Sequence, residues 1–205
     1  MRRRVTLVAA LLACVAGSAF AAVPTLEATR ALAAGLKRTG RAEVTLAWDV
    51  PAAGGEALTH HHGTLAIEPP DLARLDVAGT GEHITLRSDG GEWLQPSLHQ
   101  MMLLKPRHSV AAMRWWRVLA GSAGVTERKL ATNRYRLFIA GSVDAPADSA
   151  DVTLGAGSLP ERLVLDDGAG GHSVYKLTSW RFTKARGPDA FHVSAPAGSE
   201  VVELP

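Results

Sequence analysis

The sequence predicts a mainly β, α+β protein: one long antiparallel sheet of about ten strands that curls on itself, with two or three helices against one face. Three observations carry this expectation. Apolar residues alternate with polar ones in segment after segment, the period-two signature of half-buried strands. Turn residues punctuate these segments about every 8–12 positions, the spacing of an antiparallel meander. Only two stretches after the N-terminal region show helical spacing instead.

The elements follow in order. Pro24 to Lys37 reads as a helix, with Leu26, Ala33 and Leu36 at helical spacing and Gly40 as its stop. Val44, Leu46, Trp48 and Val50 then alternate with Glu43, Thr45, Ala47 and Asp49, a strand closed by a turn over Pro51–Glu56. Leu65 and Ile67 continue the pattern after Gly63, as do Ala73, Leu75 and Val77 after Pro69-Pro70. Ile84 and Leu86 oppose Thr85 and Arg87. Asp89-Gly90-Gly91 turns the chain into a short strand at Trp93, and Met102 and Leu104 mark the next. Ser109 to Ala120 is helical, with Ser109 as the expected N-cap, Gly121 as the stop, and Val110, Met113, Trp116 and Ala120 on one stripe. Strands resume at Tyr135/Leu137/Ile139, Val152/Leu154 and Leu163/Leu165. A longer one runs through Val174, Lys176, Thr178, Trp180 and Phe182, and a short one holds Phe191 and Val193.

So few helices do not make a second full layer; they would cap a concave apolar surface. Such a groove can desolvate an acyl chain, at about 0.8 kcal/mol per methylene. An apolar sheet face can equally be plain core.

Composition narrows the class. The 205 residues are 46% hydrophobic with a formal net charge of +2, which excludes wholesale disorder. Three of the cations are Arg2, Arg3 and Arg4, followed by the apolar run Val5–Val15 and the Ala19-Phe20-Ala21 pattern, which together read as a secretory signal peptide over residues 1–21. Cleavage after Ala21 leaves one domain, residues 22–205, with 19 Lys and Arg against 20 Asp and Glu and no basic surplus for nucleic acid. The single cysteine, Cys14, lies within the signal, so the mature chain forms no disulfide. Leu11-Leu12-Ala13-Cys14 has a second reading as a lipobox, which would lipidate Cys14. Seventeen arginines against five lysines, and one asparagine, Asn133, suggest a GC-rich genome, and the signal peptide with no eukaryotic-type glycan site suggests a bacterial exported protein.

The stretch from Gly63 through Pro69, Pro70 and Asp71 to Arg74 resembles the G-x-L-x-[IV]-x-x-P-x-x-x-R segment of LolA-like outer-membrane lipoprotein carrier proteins. Leu86-Arg87-Ser88-Asp89-Gly90-Gly91-Glu92-Trp93 and Gln100 are similar to that family's next block, and Phe191 to Val201 to its closing F-x-[FV]-x-x-P-x-G-x-[ED]-V. The resemblance implies an incomplete antiparallel β-barrel with helices as a lid over a hydrophobic cavity. It also implies a periplasmic location, no covalent chemistry, and transfer of acylated lipoproteins from an inner-membrane ABC transporter to an outer-membrane receptor. Family members proven in lipoprotein sorting carry an arginine that hydrogen-bonds the lid; here that place is Pro69, which has no donor. The cargo could therefore be another envelope lipid. A lipidated outer-membrane lipid-binding lipoprotein, an envelope-stress sensor and an enzyme are the other classes.

No catalytic, cofactor or metal constellation stands out. His60 and His62 share a strand face, a bidentate geometry with no third ligand nearby, and His60-His61-His62 also reads as a solvated rim. Gly121-Ser122-Ala123-Gly124 is one residue short of a nucleophile elbow, and Gly168-Ala169-Gly170-Gly171 reads as a turn. Asp166/Asp167 and Asp148/Asp151 read as turn aspartates. The residues expected to line an acyl-chain cavity are Val44, Leu46, Trp48, Leu65, Ile67, Leu75, Ile84, Leu86, Met102, Leu104, Met113, Trp116 and Trp180. The expected cargo is an acylated lipoprotein or lipid, and the protein is expected to be a monomer.

Overall fold

A computed structural model of the chain describes residues 26–51, 58–121, 124–139, 148–166 and 172–204. The signal-peptide reading of residues 1–21, Cys14, and the turns expected at 52–56 and 168–171 lie outside the described residues.

The chain begins with a 3-10 turn (Glu27–Thr29) and α1 (Arg30–Thr39), then β1 (Gly40–Pro51), β2 (Leu58–Glu68), β3 (Leu72–Val77), β4 (His83–Arg87), β5 (Gly90–Gln95) and β6 (Gln100–Leu104). After α2 (Pro106–Leu119) come β7 (Val125–Ala131), β8 (Arg134–Ile139), β9 (Asp148–Leu154), β10 (Pro160–Asp166), β11 (His172–Lys184) and β12 (Glu200–Glu203). The strands form one sheet of twelve in the order β12-β6-β5-β4-β3-β2-β1-β11-β10-β9-β8-β7. Every neighbouring pair is antiparallel except β12–β6, which is parallel.

Twelve strands replace the expected ten or so. The sequence Val-Thr-Glu-Arg-Lys-Leu-Ala of β7 has no apolar alternation because it is an edge strand, mostly exposed. β12 is four residues added to the other edge. Phe191 and Val193 do not form a strand: Phe191 ends a 3-10 turn, Pro188–Phe191, and is fully buried.

The helices sit where sequence chemistry puts them, with shifted ends. The 3-10 turn and α1 together bury Ala28, Leu32 and Leu36, an i, i+4, i+8 stripe that keeps the expected Leu36 and replaces Ala33 by Leu32. Gly40 stops it with φ at 90°, its N–H bonded to Leu36 O. The Glu127 carboxylate on β7 accepts the backbone N–H groups of Glu27 (3.1 Å) and Ala28 (2.7 Å), so a distant strand caps the positive end of the helical segment. α2 starts three residues before Ser109: Lys105 is its N-cap and Pro106 its first residue. Ser109 is buried in the first turn instead.

β11 carries a bulge. β1 and β11 pair as Glu43–Arg181 and Thr45–Thr178, so Ser179 and Trp180 together oppose Val44 alone. Ser179 takes a φ of 57°. The extra residue brings Tyr175, Leu177 and Phe182 onto one side, opposite Trp48, Leu46 and Ala42, which simple alternation along β11 separates.

Candidate functional site

The inner face of the sheet is defined by register. Val44, Leu65, Leu75, Ile84, Trp93, Met102 and Val202 are successive direct partners across β1, β2, β3, β4, β5, β6 and β12, so their side chains form one row. The next row is Ala42, Ile67, Ala73, Leu86, Gly91 and Leu104. Gly91 has no substitute there: a Cβ would lie 2.3 Å from Thr85 O and 3.2 Å from Leu104 Cδ1.

The structure gathers the expected lining residues into two groups. Val44, Leu46, Leu65 and Ile67 are buried in the main core, with Trp48, Leu75, Trp116 and Trp180 packed against it. Leu86 and Met113 are buried with Ala73 beneath α2, flanked by Ile84 and Leu104. Met102 lies beside them in the first row, half-buried, opposite Trp93. Alternation missed Trp93 as a site residue because its facing depends on the tight β4–β5 hairpin, which sets Ile84 against it. Trp93 Nε1 donates to Glu82 Oε2 at 2.9 Å, which leaves the rest of its ring to the row.

α2 lies tightly on this face. The space bounded by Ile67, Ala73, Met113, Trp116 and Ala120 holds only about 10 Å³. By contrast, Leu75, Ile84, Trp93, Met102 and Val202 are each half-buried and keep apolar surface in water. Of the two adjacent indoles on α2, Trp116 meets the Tyr175 ring edge-on at 6.1 Å. Trp115 is buried and donates to Asp148 Oδ2 at 3.0 Å. Burial also raises the Tyr175 hydroxyl pKa above its ordinary value.

Pro69 supplies no latch, and Arg74 does not replace it: Arg74 turns to the outer face, to Asp76 Oδ1 (2.8 Å) and Ala190 O (3.4 Å). The helix is held by Ser109. Its hydroxyl donates to Arg87 O (2.6 Å) and accepts from Arg87 N–H (3.0 Å). The β3–β4 ladder ends at Ala73–Leu86, so one serine takes the place of the missing strand partner for Arg87.

The outer face of the same strands is polar. Arg87 forms paired bonds to Glu92 (2.7 and 2.9 Å) and single ones to Asp89 (3.0 Å) and Phe191 O (2.8 Å). Thr85 and His192 complete the shell around Glu92. Burial pushes the Glu92 pKa up, but the hydrogen bonds from Arg87 and Thr85 and the charge of Arg87 outweigh it and hold the carboxyl below its usual value. Arg41 bridges Glu43 and Glu68 (2.9 Å each), with its guanidinium 5.4 Å from the Phe191 ring centre.

Among the described residues no group of three metal-ligating side chains converges. His60 pairs with Asp49, while His61 turns to the other face and stacks on Trp48 at 5.4 Å. Asp148 and Asp151 are strand residues, not turn aspartates. Arg136 and Arg134 hold the buried Asp151 (2.5 and 2.8 Å) and lower its pKa.

No protein-family model matches the chain, and no curated protein matches it. The solved structures it is similar to include the following three. An uncharacterized conserved protein from Thermus thermophilus is 14% identical with a TM-score of 0.49, covering 87% of this chain and 100% of its own. A LolA superfamily protein from Nitrosomonas europaea is 12% identical with a TM-score of 0.44, covering 80% and 96%. A chain in the structure of the Clostridioides difficile CwlD amidase in complex with the GerS lipoprotein is 14% identical with a TM-score of 0.36, covering 62% and 78%.

Proposed function

We propose that the protein is a non-catalytic carrier that binds the acyl chains of an envelope lipoprotein or lipid on its inner sheet face. One observation supports this above the others: the unbroken half-buried row Leu75, Ile84, Trp93, Met102 and Val202. Four interstrand steps make it about 19 Å long at ~4.8 Å per step. A bilayer core of about 30 Å holds two acyl chains end to end, so one chain of about 15 Å fits within the row. Space under α2 is too small for a methylene chain, so full enclosure requires α2 to lift from Ala73 and Leu86. Binding is reversible desolvation, at about 0.8 kcal/mol per methylene covered. The reading includes export to the periplasm, cargo receipt from an inner-membrane transporter and delivery to an outer-membrane receptor.

The test is a fluorescent fatty-acid probe titrated into wild type, Ile84→Glu and Lys37→Gln. Ile84→Glu weakens binding at least tenfold because it places a charge in the row; Lys37→Gln, on the exposed side of α1, leaves it unchanged. Equal binding by all three, or none by any, overturns the proposal. Mass spectrometry of an extract of the purified protein then distinguishes an acylated protein from a free lipid cargo.

A further inference from the structure

Between β10 and β11 the sheet opens. β10 and β11 are paired from Asp166–His172 to Arg162–Lys176 and no further, although both strands continue. Beyond that pair β10 stays with β9, through Pro160–Leu154, and β11 stays with β1, through Leu177–Leu46 and Thr178–Thr45. Each strand has an irregular register at the parting: one between Pro160 and Arg162, the other at the Ser179–Trp180 bulge. The Trp180 indole N–H, donated to Pro160 O at 2.7 Å, spans the gap. What remains is a cleft of about 600 Å³ with Arg162 and Lys176 among its walls.

These two cations are direct cross-strand partners, where like charges repel. Arg128 and Arg136 also face each other across β7 and β8, but Arg136 is paired with Asp151 and the Arg128 guanidinium lies 5.6 Å from the Phe138 ring centre; Arg162 and Lys176 have neither kind of relief. Neither has an ion-pair partner among the described residues, whereas Arg41, Arg74, Arg87, Arg134, Arg136 and Arg181 all do. Glu161 also lines the cleft but forms no ion pair with either cation. Its carboxylate is seated on Gly155, where a Cβ would come within 2.2 Å of Oε2.

We propose that this cleft binds the phosphate group of a phosphomonoester or lipid headgroup. Two adjacent cations match a phosphate's charge better than a single carboxylate's. Trp180 and Leu159 give an apolar wall to the remainder of the ligand. The site lies where β10 and β11 part, strands away from the apolar row on β3–β6 and β12, and does not depend on it.

The experiment follows the Trp180 indole N–H resonance, assigned with Trp180→Phe, during titration with glycerol 3-phosphate. In parallel, vesicles of phosphatidylcholine with and without phosphatidylglycerol are tested by co-sedimentation. A saturable shift without vesicle binding assigns a soluble phosphate ester; phosphatidylglycerol-dependent sedimentation assigns a lipid headgroup. In either arm Arg162→Ser and Lys176→Ser weaken binding at least tenfold, and Arg128→Ser, on β7, does not. Lys176→Glu provides a variant that still folds, since it turns the repulsion into a pair: it raises the Tm and abolishes binding. No saturable response in either arm, an equal loss in Arg128→Ser, or wild-type binding by Lys176→Glu overturns the proposal.

Discussion

The two halves of the sheet treat their outer-face cations in opposite ways. Across β1–β5, Arg41 and Arg87 are buried beneath the Pro188–Phe191 turn, and every charge they carry is met by Glu43, Glu68, Asp89 or Glu92. Glu68 also accepts the backbone N–H groups of Arg186 (2.8 Å) and Gly187 (3.1 Å), which ties that connection to the sheet. Across β8–β11 the charges stay near water. Arg134 and Arg136 share Asp151, and Arg162 and Lys176 share nothing. The difference teaches where each half's charge is used. Satisfied and buried, it fastens a segment; exposed and unpaired, it is left for a ligand.

The largest effect that can break this comparison is Arg87→Ala. It strands Glu92 as an uncompensated buried charge and frees Phe191, and costs about 3–5 kcal/mol by urea unfolding. Arg136→Ala in the other half costs under about 1 kcal/mol, because Arg136 is half exposed and Arg134 still holds Asp151. Similar losses for the two would erase the distinction.

Acid sharpens it next. Glu92 and Asp151 both have pKa values lowered below their reference values of 4.5 and 3.8. A carboxyl with a depressed folded pKa contributes stability that is complete above its unfolded value and is lost as pH falls toward the folded one. Stability therefore declines below about pH 4.5, and Glu92→Gln flattens that decline while costing about 2 kcal/mol at pH 7. An unchanged acid slope in Glu92→Gln would assign the decline to other groups.

Ser109→Ala is the smaller test, and it reaches from the outer network to the inner face. It leaves the Arg87 N–H and C=O without partners, costs about 1–2 kcal/mol, and speeds uptake of a fatty-acid probe by loosening α2. Slower uptake, or none of the stability loss, would remove Ser109 as the helix anchor.

Alternation made the inner rows legible, since Val44, Leu65, Leu75 and Ile84 fall on apolar positions whichever strands turn out to be neighbours. It failed on β7, whose edge position leaves little apolar face to alternate, and along β11, where one inserted residue joins Tyr175 and Leu177 to the side of Phe182. Ser109 was noticed for the wrong task. A serine before an apolar run signals a cap, but here a lysine-proline start had already begun the helix. Phe191 was visible as an aromatic residue, but its burial among arginines follows from partners more than a hundred residues away in sequence.

By itself, the sequence determined the sheet, its apolar face and the two helices, because period and turn chemistry act within a few residues. Only the tertiary structure decided what covers each face: α2 seated on the inner rows by one serine, a C-terminal turn held over the outer arginines, and Arg162 brought opposite Lys176 where two strands part. Those outcomes depend on register and on contacts between distant segments, which a local pattern does not specify.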